Sequence, residues 1–356
     1  MSQGSRRRRA LAFTLVGAGA AAVVAGAGYA AKRVLVDRVR GEADPHEAYD
    51  ATFPSDTRHH RIPTDDGGEL HVVERTPTGD RGAPARTLVL LHGIGLEAGI
   101  WHYQFRDLAD GFRVIAIDTR GHGGSTPGTD GYGLGPAARD LAMVLDRLAV
   151  RDAIVVGHSM GGIVLMRFAA DHRDVLDERV AGLVFLATVP HFGVPAGLAV
   201  RVAGVADRVW RWSDRRGVRV PLNRLAEGDL GFAVVRLAFG ENPSPTHIDL
   251  TRRMISAVPV EAYVPSGARL LEHDARVALA ATATPSIVVV GTLDRITPSH
   301  FAEELAALLP DAQLVVLPGC GHQVMLERRA ELADLLRTFD AELRAGRVER
   351  VEAGPC

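Results

Sequence analysis

Six short apolar runs rich in β-branched residues, at 87–91, 113–117, 153–156, 183–186, 286–290 and 313–317, constrain the fold of this chain more than any other feature. Runs this short and this continuously apolar suit strands buried on both faces. Stretches with helical periodicity at 135–148, 161–171, 298–309 and 327–343 fall between or after them. Strand, helix, strand in that order predicts a mostly parallel sheet with helices on both faces, because a parallel pair needs a crossover. Ahead of the runs, two alternating segments at 59–64 and 69–76 flank Asp65-Asp66-Gly67-Gly68, a hairpin signal. The expectation is an α/β fold whose eight-stranded sheet begins with an antiparallel pair.

At 356 residues the chain can build one large core with an insertion. It is 47% hydrophobic and 24% charged with a formal net charge of -2, a globular balance that implies no basic groove and no nucleic-acid partner. Two cysteines, Cys320 and Cys356, give neither a disulfide framework nor metal-ligand spacing. Cys320 reads as a small buried hydrophobe. No metal and no organic cofactor is expected.

The amino terminus reads as a separate unit, residues 1–45. Arg6 to Arg9 precede an uncharged stretch from Ala10 to Ala31, closed by Lys32 and Arg33. A helix of that length could cross a ~30 Å hydrocarbon core, although its alanines and glycines favour insertion only weakly. Three readings stay open: an uncleaved membrane anchor, a cleaved export signal, or a helix packed on the protein. The first two would place the protein at the membrane or outside the cytoplasm, with the cytoplasmic membrane face as the alternative.

The chemistry concentrates where the apolar runs end. After 153–156 comes Gly157-His158-Ser159-Met160-Gly161-Gly162 and then a helix, which is a G-x-S-x-G nucleophile elbow in its strand-turn-helix context. A serine hydroxyl needs an adjacent base, itself held in the right tautomer. Asp294 follows the run at 286–290, and His322 follows the run at 313–317. Ser159, Asp294 and His322 therefore leave the same edge of a parallel sheet, as nucleophile, orienting carboxylate and general base. An oxyanion hole would take the Met160 amide and, from the loop His92-Gly93-Ile94-Gly95, the Ile94 amide. The His92 side chain reads as a structural part of that loop. The glycine-rich stretch from Asp118 to Ser125 has no P-loop lysine and no dinucleotide spacing, and reads as a turn.

Taken together, His92 to Gly95, Asp118 to Ser125, Gly157 to Gly162, Asp294 and Gly321-His322 resemble the α/β-hydrolase superfamily. The likeness runs from Arg58 to Leu343 and is to the lidded group of serine esterases, cofactor-free haloperoxidases and carbon–carbon bond hydrolases. Members resembling this pattern that are dehalogenases or epoxide hydrolases carry aspartate where this chain has Ser159, so serine argues against both. The resemblance implies a core at 46–190 and 284–356 and a helical cap at 191–283, where Trp210, Trp212 and Phe239 are candidate substrate contacts. It also implies a serine hydrolase of carboxylic esters, and an apolar cap together with a membrane-adjacent amino terminus would suit small, lipophilic ones. Perhydrolysis, acyl transfer or carbon–carbon cleavage with the same three residues, and a non-catalytic binding protein, are the alternatives.

Overall fold

The structure is a computed structural model of the chain and describes residues 36–41, 44, 51–77, 85–193, 201, 204, 205, 208 and 228–346. Its centre is an eight-stranded sheet: β1 Arg58–Pro63, β2 Glu69–Arg75, β3 Arg86–Leu91, β4 Phe112–Ile117, β5 Ala153–His158, β6 Val180–Leu186, β7 Ser286–Gly291 and β8 Ala312–Leu317. The order across the sheet is β1-β2-β4-β3-β5-β6-β7-β8. β1 and β2 are antiparallel and β2 pairs antiparallel with β4, while every later pair is parallel. After β1 the described helices are α1 His102–Asp107, α2 Leu134–Arg147, α3 Met160–Asp171, α4 Arg173–Arg179, α5 Asp229–Arg236, α6 Pro245–Ala257, α7 Val260–Leu270, α8 Arg276–Leu279, α9 Ser299–Leu308, α10 Val324–Glu327 and α11 Arg329–Ala345.

The period of two in a strand sends successive side chains to opposite faces, and both faces are covered. In β3, Leu88 and Leu90 join one apolar cluster with Trp101, Phe105 and Phe339, and Val89 and Leu91 join the other with Leu141, Phe168 and Leu305. This is why the central runs carry no polar alternation. β8 departs from the expectation of burial on both faces: only Gln313 of its six residues is buried, because the strand has a neighbour on one side alone. The helical pattern at 327–343 divides into α10 and α11, separated by Arg328 at φ -132° and ψ 46°.

Between β6 and β7 lie α5 to α8, the described helices of the long insertion. Residues 36–41 are helical and pack on this insertion: Val36 and Val39 are buried in the first cluster, and Arg40 pairs with Asp229 at 3.1 Å and stacks over Phe232. Asp44 continues the contact, accepting from Ser244 Oγ and the Thr246 amide at 2.9 Å each.

The expectation of a membrane-anchored or exported protein is corrected. Among the described residues no helix is long and apolar enough to cross a membrane, and residues 10–31 lie outside the described residues. The physical reason lies in the composition, since alanine and glycine gain little on leaving water and favour insertion only weakly beside leucine and isoleucine.

Candidate active site

Ser159 stands at the junction of β5 and α3 with φ 51° and ψ -115°, a conformation that side-chain-bearing residues avoid. The surroundings hold it there. Its N–H donates to the Leu186 carbonyl at 2.9 Å, and its own carbonyl accepts from the Gly162 amide at 2.9 Å and from Thr188 Oγ1 at 2.8 Å. Glycine at 157 lets the strand approach the helix: a Cβ there would sit 2.6 Å from the Gly161 carbonyl oxygen. The amide of Met160, in the first turn of α3, has no intrahelical acceptor by construction and carries the positive end of the helix dipole.

Asp294 follows β7 and its carboxylate is fully buried. Oδ1 accepts from the amides of Ile296 and Thr297, both at 2.8 Å, and Oδ2 accepts from Thr297 Oγ1 at 2.6 Å and from His322 Nδ1 at 2.9 Å. Burial alone would raise its pKa, but the His322 imidazole and these hydrogen bonds outweigh it and hold the carboxyl below the usual aspartate range. Donating from Nδ1 to the carboxylate fixes the tautomer, so that His322 presents Nε2 as a base.

Two further residues at this site were not singled out by the sequence reading. Thr297 bonds the carboxylate, and the local pattern Asp294-Arg295-Ile296-Thr297, an aspartate with a hydroxyl three residues on, was a legible signal for it. His158, the residue before the serine, donates from Nε2 to the His322 carbonyl at 2.9 Å, and the two imidazole centroids stand 4.7 Å apart. Burial pushes the His158 pKa well below the ordinary histidine value, so the ring is neutral.

The loop after β3 lies against the nucleophile: a Cβ on Gly93 would be 3.2 Å from Ser159 Cβ and 2.9 Å from His158 Nδ1. Leu96 N donates to the Gly93 carbonyl at 3.1 Å, making Ile94 and Gly95 the centre of a tight turn in which Gly95 has φ +76°. Helices α6 and α7 roof this turn, with Ile255 of α6 and Tyr263 of α7 beside Gly95, and Gly267 of α7 beside Ile94. The His92 ring is fully buried, accepting the Thr119 amide at Nε2 at 3.0 Å, which ties the loop to the 118–125 turn. In that turn Asp118 accepts from the Ala98 and Gly124 amides at 2.6 and 2.8 Å.

Phe239 is fully buried, its backbone against Gly321, within the first apolar cluster. Trp210 and Trp212 lie outside the described residues. Cys320 is buried, and burial raises its thiol pKa. Among the described residues no group of three or more His, Cys, Asp or Glu is placed to hold a metal ion. A cavity of about 860 Å³ lies beside the 129–136 loop, between α3 and α7, and none of Ser159, Asp294 or His322 lines it. Reacting groups locate a site better than volume does, so the Ser159 region is the candidate.

Residues 86–329 match the model of the alpha/beta hydrolase fold family. The chain belongs to that family. Among relatives, the pimeloyl-[acyl-carrier protein] methyl ester esterase of Yersinia enterocolitica is 28% identical over 259 residues, covering 71% of this chain and 92% of the relative. A non-heme chloroperoxidase of Kitasatospora aureofaciens is 29% identical over 258 residues, covering 68% and 86%. In three dimensions the chain is similar to a thermophilic esterase from Thermogutta terrifontis, with a TM-score of 0.64, 26% identity, and coverage of 80% of this chain and 99% of the esterase. In this α/β-hydrolase chain, β5 to β8 thus bring a strained serine and an aspartate–histidine pair to one edge of the sheet.

Proposed function

We propose that this α/β-hydrolase chain is a serine hydrolase that cleaves a carboxylic ester through an acyl-enzyme. The observation that carries the reading is the 2.9 Å bond from His322 Nδ1 to a fully buried Asp294, with the His322 ring 4.7 Å from that of His158, the neighbour of a serine held at φ 51°. The relatives support ester hydrolysis in general. Ser159 Oγ attacks the acyl carbon as His322 Nε2 takes its proton, and the Asp294 carboxylate stabilises the imidazolium. The developing oxyanion accepts from the Met160 and Ile94 amides. His322 then returns the proton to the leaving alcohol, and water, deprotonated by the same imidazole, releases the acid. Residues 191–283 act as a cap over this edge. Ile94, Ile255 and Tyr263 give the oxyanion loop an apolar roof, which supports a lipophilic acyl group on a small molecule.

The test is turnover of p-nitrophenyl esters of increasing acyl length by the full chain, with Ser159→Ala as control and with fluorophosphonate labelling in parallel. Turnover and labelling by the wild type alone support the reading. Absence of labelling in the wild type overturns it. The relationship to a non-heme chloroperoxidase supports a second reading, perhydrolysis, in which hydrogen peroxide replaces water in deacylation and a peracid is released. Product analysis with peroxide present separates the two.

A further inference from the structure

His322 sits in a loop whose backbone is gripped from outside its own strand. Its N–H donates to the Ala238 carbonyl at 2.7 Å. The residues on either side of it are held by one carboxylate: Glu327 Oε2 accepts the Gly321 amide at 3.0 Å, and Oε1 accepts the Gln323 amide at 3.1 Å. The same Oε2 also accepts the Gly240 amide at 2.7 Å. Ala238 and Gly240 belong to the insertion between β6 and β7, directly after α5, and the Glu241 N–H donates to the Gly319 carbonyl at 2.9 Å. The two backbones touch without intervening side chains: a Cβ on Gly321 would lie 2.5 Å from the Gly240 nitrogen, and one on Gly240 would lie 2.7 Å from the Gly321 nitrogen.

Nothing in the reaction described above uses Glu327. Even a partly buried carboxylate is costly to desolvate, and an apolar side chain would fill the same space. Burial does raise the Glu327 pKa despite the three backbone amides it serves, and Arg328 adds a smaller opposing effect. What the carboxylate achieves that an apolar group cannot is to bind both neighbours of His322 and the insertion with a single rigid fork.

We propose that Glu327 is a positioning residue for His322, locking the base loop to segment 238–240 so that the imidazole stands in its reactive place only while that segment is docked. Glutamine at this position keeps the shape but turns one acceptor into a donor facing backbone N–H groups, so it can serve only one half of the junction. The inference rests on the serine-hydrolase reading, and the experiment separates the two.

The experiment compares the full-length wild type with Glu327→Gln and Glu327→Ala. It reads the rate of fluorophosphonate labelling at Ser159, kcat and KM for p-nitrophenyl butyrate, and the low-field proton resonance of the His322 Nδ1–H donated to Asp294. The expected result is labelling and kcat lowered about tenfold to a hundredfold, the range that loss of charge-assisted bonds implies. KM is expected to stay within about twofold, because the loss falls on the reacting group. The Nδ1–H resonance should broaden or vanish, and Glu327→Ala should be the more severe. Labelling and kcat at the wild-type rate with an unchanged resonance overturn the proposal. A merely structural role would lower the folded fraction and leave the resonance and rate per folded molecule intact, which also overturns it. If the wild type itself does not label, the serine reading has failed, and the resonance alone then decides whether Glu327 positions His322. Should Glu327→Ala not fold, the isosteric Glu327→Gln carries every comparison.

Discussion

Asp294 and His322, 28 residues apart in the chain, meet through Oδ2 and Nδ1 at 2.9 Å, with the Asp294 carboxylate wholly removed from solvent. The pairing explains why the aspartate stays ionised in an apolar setting: three protein donors besides the imidazole supply the solvation that water would otherwise give. Asparagine at this position would offer an amide N–H or a weaker acceptor to Nδ1 and release the tautomer. Asp294→Asn is therefore expected to lower kcat by roughly 10³ to 10⁴-fold with a near-native fold. Steady-state kinetics alongside circular dichroism check this, and a loss below tenfold would refute the assignment.

The backbone of Ser159 gives a second prediction, one that separates activity from stability. At φ 51° and ψ -115° a Cβ is strained, and glycine is not. Ser159→Gly should abolish ester turnover while raising stability by about 1–3 kcal/mol, the strain such a backbone stores. Ser159→Ala, which keeps the Cβ, should lose turnover without that gain. Urea unfolding of the three proteins measures the difference.

Acid sensitivity follows from the buried histidines. Burial lowers the pKa of His122 and His273 to about 4 and also depresses His92 and His158. The unfolded chain binds protons at these rings from about pH 6.5 downward while the folded chain does not, so their contribution to stability is present above that pH and is lost as pH falls toward 4. Asp118 and Asp294, with depressed folded pKa, add to the loss only below the ordinary aspartate range. Glu97, Asp140 and Glu327 oppose it, because burial raises their pKa and the folded state takes up protons first. His122→Asn keeps a donor for the Arg120 carbonyl that Nδ1 meets at 3.1 Å and removes one titration. Its urea midpoint should fall less between pH 7 and pH 4.5 than that of the wild type. Parallel curves would contradict the account.

At the amino-terminal end of the described residues, packing should matter more than charge. Val36 and Val39 are buried, whereas the Arg40–Asp229 pair is well exposed, with side-chain exposures of 40% and 33%. Val36→Ala and Val39→Ala are each expected to cost about 1–2 kcal/mol. Arg40→Ala should cost less than about 1 kcal/mol through its ion pair, plus what it loses over Phe232. Chemical denaturation of the single variants ranks them, and a larger loss for Arg40→Ala would reverse the argument.

Much of this molecule is legible in local patterns. The central runs are strands because continuous apolar β-branched sequence has few other uses, and the elbow at Ser159 is legible because its glycines are required by contacts two residues away. Asp294 and His322 are found by the same logic, each one short turn beyond a strand. β8 was misjudged as buried on both faces because hydrophobicity does not reveal which strand ends a sheet. Phe239 was singled out for its aromatic ring, yet its surroundings depend on a contact with the base loop that no periodicity encodes.

The sequence by itself determined the class of fold, the order of its elements and the points where reactive side chains leave the sheet, because these follow from periodicity and turn chemistry acting over a few residues. Tertiary structure decided the rest. Glu327 reaches Gly240 across 87 positions, His158 reaches the His322 carbonyl across 164, Arg40 reaches Asp229 across 189, and Asp44 reaches Ser244 across 200. Such contacts depend on strand order and on where the insertion folds back, and buried backbone groups accept only the partners that the complete fold brings within hydrogen-bond reach.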